Sequence, residues 1–335
     1  MNPTTEQKFA ALLAALAETY GVRTVEKAFS VTPSVEQTLH DKIVESSDFL
    51  QRINVIGVKE ITGEKVFGGV SGPIISRTDT SQNDRRPKNV AALDPRAYQL
   101  HKTESDVGIK YSLLDLWAKF PDFMQRFQNW VNERKALDRI MVGWHGTSAA
   151  AETDIVTNPL GQDVNIGWLQ EVRTKAASQV LVEGATAGVI KFGDTGDFKT
   201  LDAAAQDLKQ GIDHKFRGAG DLVAIVGGDL LAWDEGKLYA AHGGTPSEKQ
   251  GIQMATKSYG GLPSITNVPY FPEKGLAVTS LSNLSIYWQE SSNRRSTVDN
   301  AKRDQVEDYH SRNEGYVVEN LEKIAFLEAD NVQFV

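Results

Sequence analysis

Cysteine is missing altogether from the 335 residues. Its absence excludes disulfide staples, zinc knuckles, iron–sulfur clusters and thiol nucleophiles, and leaves packing or assembly as the sources of stability. Cations are not in excess either: 36 Lys+Arg against 44 Asp+Glu give a formal charge of -8. That balance disfavours any protein that coats nucleic acid by displacing phosphate counterions. Long apolar runs are also missing. No window approaches the roughly 20 uninterrupted apolar residues that span a bilayer core, so no membrane partner is expected. The nearest approach to a leader, KFAALLAALAETY (8–20), is short, contains Glu18 and lies behind Glu6 rather than a basic cluster, and it reads as an amphipathic helix. What is present is ordinary globular material, 40% apolar and 24% charged, long enough for about two domains and a large core.

Signatures of chemistry are equally scarce. The six histidines, at 40, 101, 145, 214, 242 and 310, stand singly, with no HExxH and no close pair of the kind a metal demands. GAGDLV (218–223) opens like a dinucleotide loop but lacks its third glycine, and Gly236–Lys237 has neither the upstream glycine nor the following Ser/Thr of a phosphate loop. Ser71, in GGVSGP (68–73), lacks the strand–elbow–helix setting that exposes a nucleophile. The adjacent acids Glu307–Asp308 and Asp234–Glu235 read as solvated surface. The doublets Arg85–Arg86 and Arg294–Arg295 fit either polar loops or intersubunit ion pairs. Trp117, Trp130 and Trp144 fall in or just before one long helical stripe and read as core rather than as ligand platforms. No catalytic residue, metal ligand or cofactor is assigned, and no enzyme activity is expected.

Periodicity supplies the layout. Thr4 with Gln7 offers a capping box, and Phe9, Leu12, Leu13, Leu16 and Tyr20 recur at helical spacing until Gly21. An extended connection then leads to Pro33, which makes the first part of the chain a removable or mobile segment of about thirty residues. PSVEQTLHDKIVESSDFL (33–50) predicts a helix through Val35, Leu39 and Ile43, followed by strand-like alternation in RINVIGVKEITGEKVFG (52–68). Residues 68–95 are dense in Gly, Ser, Thr, Asn, Asp and Pro and cannot build a core of their own. They predict a two-stranded excursion with a polar tip near Gln82–Lys88, leaning on another subunit because a lone hairpin is marginal in water. The longest helix is expected over 121–144, opened by Pro121, with Phe127, Trp130, Val131, Leu137, Ile140, Met141 and Trp144 among the residues on its 3.6 period. Helices at 166–181 and 200–216 and a strand at 221–227 follow. After GGLPSITNVPYFP (260–272), the segments GLAVTSLSNLSIYWQES, YVVEN and KIAFLEADN read as strands of an antiparallel sheet, and the charged run from Glu290 to Glu314 as a turn and one solvated helix.

Several of these segments together resemble the major capsid proteins of Peduovirus-type tailed phages, which share the Hong Kong 97-type shell fold. The strongest pieces are PSVEQTLHDKIVESSDFLQRINVIGV (33–58), LDLWAKFPDFMQRFQNWV (114–131), DVNIGWLQEVR (163–173), DLVAIVG (221–227), GGLPSITNVPYFP (260–272) and NLSIYWQESSNRRSTVDNAKRDQVEDY (283–309). They occur in family order over almost the whole chain. The resemblance implies an α+β capsid fold: a scaffold-like propeptide at 1–29, an N-arm at 30–58, an E-loop with its strands at 59–112, a P-domain with a spine helix at 113–146, an A-domain at 147–265 and the returning P-domain sheet at 266–335.

The same resemblance implies a function. Such proteins assemble as pentamers and hexamers into an icosahedral head, built in the host cytoplasm with a scaffold protein, a prohead protease and a portal. The head encloses double-stranded DNA without sequence-specific binding, and the subunit ends in the virion. KAFSVTPSV (27–35) resembles the processing region, which places the cut between Phe29 and Ser30. Arg85 and Arg86, at the tip of the excursion, are the candidate intersubunit contacts. An acidic subunit also suits a container whose contents must not adhere to its wall. Two other classes stay open from sequence: a cellular nanocompartment shell of the same fold, which would hold protein cargo, and a cytosolic α/β enzyme, which would need a clustered site and would leave residues 68–95 without a purpose.

Overall fold

The computed structural model describes residues 3–31, 33–70, 75, 77, 78, 82, 91–117, 120 and 123–335. The chain opens with α1 (Pro3–Tyr20), β1 (Phe29–Ser30), α2 (Pro33–Glu45) and β2 (Asn54–Val58). The hairpin β3 (Thr62–Val70) and β4 (Ala91–Gln99) comes next, then β5 (His101–Glu104), β6 (Val107–Lys110), α3 (Tyr111–Trp117) and the longest helix, α4 (Phe123–His145). The middle contains α5 (Trp168–Lys175), β7 (Val180–Leu181), β8 (Ile190–Phe192), α6 (Leu201–Gly211), β9 (Val223–Val226), α7 (Gly228–His242), α8 (Pro246–Ala255), β10 (Ser258–Tyr259) and β11 (Leu262–Ile265). The chain closes with β12 (Leu276–Thr279), β13 (Leu284–Gln289), β14 (Arg294–Asn300), β15 (Gln305–Val318), β16 (Ala325–Leu327) and β17 (Val332–Phe334).

Two sheets organise these elements. The first is built around β15: β14 and then β13 pair along one edge, β6 and β5 along the other, with β1 and β2 outermost. The second has the order β10-β11-β9-β12-β16-β7 and draws β12 and β16 from beyond residue 265 into register with β9. The sheets are mixed rather than purely antiparallel, since β13–β2, β11–β9 and β16–β7 run parallel. Two main cores result. One is shared by the sheets and joins Ile43, Phe49, Ile140, Trp144, Trp168 and Tyr316 to Ile225, Ala277 and Phe326 of the second sheet; the other, on the second sheet, gathers Phe192, Leu201, Ala204, Leu208, Leu230 and Tyr259. The helix α6 starts where Thr200 accepts the Ala203 N–H at 3.3 Å, and its Leu201, Ala204, Ala205 and Leu208 supply the buried stripe.

The placement of α4 follows from two close contacts. A methyl group on Gly143 would fall 2.3 Å from the Trp168 ring, and one on Gly146 would fall 2.2 Å from the Asn165 carbonyl oxygen. Only glycine lets the helix end lie this near the following segment. Trp168 then anchors the junction: its Nε1–H donates to Ser285 O at 2.9 Å, and its ring meets Trp144 edge-on at 5.0 Å and Tyr316 at 5.4 Å.

Three expectations need correction here. The charged run 290–314 is not a turn with a solvated helix but the β14–β15 hairpin. Arg295 pairs with Asp308 and Arg312 with Glu314 inside the hairpin, and Arg139 of α4 joins Glu314, so these charges are buried rather than solvated. Trp130 is 51% exposed, not core: among the described residues the fully buried part of α4 begins at Ala136, and in the earlier turns it is the half-buried Phe127 and Val131 that face the sheet. The helix α1 starts at Pro3, which needs no N–H partner in a first turn, so Thr4 lies inside the helix instead of capping it.

A paired substitution separates the two ends of α4's aromatic surroundings. Trp168→Ala should cost about 3–5 kcal/mol of subunit stability, whereas Trp130→Ala should stay within about 1 kcal/mol, as read by urea denaturation of the unassembled subunit. Comparable losses at both sites would contradict the assignment of the core to the second half of α4.

Candidate functional site

Residues 308–318 alternate along β15, and His310, Arg312, Glu314, Tyr316 and Val318 are all buried. A strand places every second side chain on one face, and here that face meets Lys135 and Arg139, one helical turn apart on α4. Arg312 Nε donates to Glu314 Oε2 at 2.6 Å, and Arg139 Nε lies 3.3 Å from the same oxygen. One buried carboxylate thus holds a guanidinium from each layer. Arg312 and Arg139 keep Glu314 below the ordinary carboxylate range although burial opposes this.

A second pair sits beside the first. Arg295 on β14 donates to both oxygens of Asp308, at 2.9 and 2.8 Å, and Thr297 Oγ1 donates to Oδ1 at 2.9 Å. Arg295 also donates to the Tyr20 hydroxyl and lies 5.4 Å from the centre of that ring. Arg295 and Asp308 pair with each other across adjacent strands and Glu307 accepts from Asn300, Gln305 and Tyr309, so these three are not free surface, whereas Arg294 is exposed on β14. Asp234, the other acid read as solvated, is buried and accepts from Tyr259 Oη at 3.1 Å.

This arrangement ties down the N-terminal segment. Phe29 pairs with Arg295 and Ser30 with Arg294, which sets the predicted processing residues on the outermost strand of the first sheet. Val31 N–H donates to Asn293 O at 3.1 Å, and Thr297 N–H to Val25 O at 2.8 Å. Leu16, Tyr20, Val25 and Val31 are buried together, and Tyr20 lies 5.3 Å from the Phe29 ring. Residues 3–31 are therefore docked on their own subunit, not loose. The docking is incomplete: a cavity of about 390 Å³ remains between Phe9 and Leu16 of α1, Phe127 and Val131 of α4, and Ile109 and Val306 of the sheet.

The hairpin β3–β4 pairs from Thr62↔Gln99 to Val70↔Ala91 and joins no other sheet among the described residues. Its base rests on the subunit through Tyr98, whose ring meets Tyr287 at 5.2 Å. Arg85 and Arg86 lie outside the described residues. Sequence reasoning missed Lys135, Arg139, Arg312 and Glu314. The signal was there as a strand period carrying charges, but their partners sit on an element more than 150 residues away.

A long helix crossing a mixed sheet, a second mixed sheet, an isolated two-stranded hairpin and an N-terminal arm laid along the sheet edge define a Hong Kong 97-type shell subunit. Comparison with known proteins narrows this. A family model described as phage major capsid protein, P2 family, matches residues 8–330. The "Capsid proteins" sequence of Escherichia phage P2 is 40% identical over 340 residues, covering 96% of this chain and 92% of that protein. The major capsid protein of Serratia phage KSP20 is 32% identical over 312 residues, covering 91% and 89%. Among solved structures, the satellite phage P4 procapsid including size determination (Sid) protein matches with a TM-score of 0.79 and 37% identity, over 100% of this chain and 99% of that one. The chain belongs to the P2 family of phage major capsid proteins. Its place is the capsid of the virion, and no helix among the described residues is long and apolar enough to cross a membrane.

The buried charges make stability pH-dependent. Burial lowers the Lys135 ammonium from 10.5 to about 7, with Asp308 opposing and Arg295, Arg139 and Arg312 reinforcing the shift. The folded state therefore binds this proton more weakly than the unfolded state, and stability should rise with pH between about 7 and 10.5. Burial, with Lys135 and the three arginines, likewise holds His310 well below 6.5, so stability should also fall as pH drops beneath that value. In chloride buffer, Lys135→Met should remove the rise above neutrality while leaving the acid-side loss. An unchanged alkaline profile in denaturation curves would contradict the placement of Lys135.

Proposed function

We propose that this chain is the repeating subunit of an icosahedral phage head, assembled as pentamers and hexamers around double-stranded DNA without sequence-specific contacts. The observation that carries this is the β3–β4 ladder, a two-stranded sheet with no third strand among the described residues, an arrangement that is marginal by itself in water. Neighbouring copies would supply its missing support. The exposed Leu113, Leu116, Phe120 and Trp130 near the start of α4 fit the same reading, since apolar side chains of that size gain by burial against another copy.

In this reading residues 1–29 are the propeptide, 30–58 the N-arm, 59–112 the E-loop and 113–146 the spine part of the P-domain. Residues 147–265 form the A-domain and 266–335 return to the P-domain, while lending β12 and β16 to the A-domain sheet. A scaffold protein, a prohead protease and a portal are the proposed partners, with cleavage between Phe29 and Ser30. Arg85 and Arg86 are proposed to meet acids on an adjacent chain, where partial burial strengthens such pairs beyond those of an open surface.

Mass spectrometry of mature particles should find Ser30, or a residue within a few positions, at the N-terminus. Particles retaining Met1–Phe29 would sink the processing proposal. Assembly offers a separate test. Trp130→Glu should leave the far-UV circular dichroism of the subunit nearly unchanged and impair shell formation, and the double variant Arg85→Glu, Arg86→Glu should do the same. Wild-type assembly by the Trp130 variant would remove the exposed half of α4 from the subunit contacts, and by the arginine variant would remove the doublet.

A further inference from the structure

The bond proposed for processing lies in β1, between residues that differ in access. Ser30 is exposed, whereas Phe29 is half-buried with its ring 5.3 Å from that of Tyr20. On either side the chain is sealed. Val25 is 2% exposed and Val31 1%, and both pack with Leu16 and Tyr20 in one cluster. The backbone is tied down as well. Phe29 and Ser30 pair antiparallel with Arg295 and Arg294, Val31 N–H donates to Asn293 O at 3.1 Å, and Val25 O accepts from Thr297 N–H at 2.8 Å. All of these backbone partners belong to β14 or directly precede it.

A protease takes its substrate as an extended strand, pairing with the backbone and holding side chains on both sides of the bond. Here Val25, Phe29 and Val31 are already engaged by their own subunit. Hydrolysis adds one water across the amide and leaves a carboxylate on Phe29 and an ammonium on Ser30. For that, the Phe29 carbonyl carbon must lie in the protease cleft, where a segment docked on β14 cannot go. The contacts that oppose undocking are few: a two-residue strand, two further backbone hydrogen bonds, a small apolar cluster and the Arg295 hydrogen bond to the Tyr20 hydroxyl. The cavity of about 390 Å³ beside Phe9 and Leu16 leaves α1 without continuous packing. A segment held in this way opens locally, without unfolding of the whole subunit.

We propose that the docked arm is a protected substrate: the Phe29–Ser30 bond is cut only after β1 has left β14, and the Tyr20–Arg295 contact is the latch that sets how often it leaves. The inference rests on the processing reading above. Arg295 is itself fixed by two hydrogen bonds to Asp308, so the latch joins the part of the chain to be removed to a guanidinium that stays with the sheet. A free subunit therefore keeps its arm.

Thermolysin, which cuts ahead of large apolar residues such as Phe29 and Val31, tests this on the unassembled subunit without the phage protease. With products read by intact mass, cutting between Val25 and Val31 should be about a hundredfold slower, or more, than in a synthetic peptide of residues 22–34, because the rate follows the open fraction. Tyr20→Phe keeps the ring and loses the hydroxyl, and should raise the rate about tenfold while leaving the urea midpoint unchanged. Ser30→Cys with Arg294→Cys supplies a reversible lock, since the two positions face each other across the ladder and the chain has no other cysteine. Its oxidised form should be cut about tenfold more slowly, or less, than its reduced form. Wild type cut as fast as the peptide, or equal rates for the oxidised and reduced forms, would overturn the proposal, and an unchanged rate in Tyr20→Phe would overturn the latch. Should the disulfide not form, the peptide and Tyr20→Phe comparisons still decide. Mature particles beginning far from Ser30 would overturn the processing reading instead, even with the thermolysin rates as expected.

Discussion

The carboxylate of Glu314 is the point on which the rest of the subunit depends. It sits in the central strand of the first sheet and accepts from Arg312 of its own strand while facing Arg139 of α4. Removing one member of a buried group of this kind leaves the others as uncompensated charges, at a cost of about 3–5 kcal/mol. The clasp therefore fixes more than affinity between two elements. It sets the register of α4 over β15, because only one turn of the helix brings Arg139 to that oxygen while Gly143 meets Trp168.

From this fixed helix the peripheral parts take their positions. Arg295, one strand over, joins Asp308 and reaches Tyr20, so the same charged layer that holds the spine also holds the N-terminal segment. The segment is anchored at a few points: the Tyr20–Arg295 contact, the short β1 pairing and the buried Val25 and Val31. The cavity left beside Phe9 and Leu16 shows that its packing is not continuous. A docked but incompletely packed arm suits the proposed cleavage between Phe29 and Ser30. Beyond the clasp, α4 runs outward with Trp130 in solvent, and the β3–β4 hairpin leaves the body at Tyr98. A rigid centre with surfaces left for neighbours is the physical form expected of a shell subunit.

Much of this was legible in the sequence where the information was local. The spine helix follows from the 3.6 period, the β9 strand from a short apolar run, and the hairpin from two strand-like flanks around a polar stretch. The β14–β15 hairpin was not legible, because Glu307, Asp308, Arg312 and Glu314 carry the strand period in charged residues. Asp308 finds Arg295 across the hairpin, while Glu314 finds Arg312 on its own strand and Arg139 on α4, and no local pattern encodes that last partner, so far away in the chain. Trp130 failed for a related reason: periodicity tells which residues share a helix face, not how far along that face the core extends. The N-terminal segment, bounded by Gly21 and Pro33, looked separable because local signals mark boundaries and say nothing about the Tyr20 hydroxyl meeting a guanidinium 275 positions later. Family membership, by contrast, was carried by segments spread over the whole chain and needed no contact information.

Electron cryomicroscopy of assembled particles tests the central claim most directly: the subunit's core is complete in itself, and its exposed α4 half and hairpin are completed by adjacent copies. The account predicts that Arg139, Arg312 and Glu314 keep their mutual contacts within each subunit, while Trp130 and the β3–β4 hairpin are buried against a neighbour. A shell in which Trp130 and the hairpin remain free of every neighbouring copy, or in which Glu314 is satisfied by another chain, would contradict it.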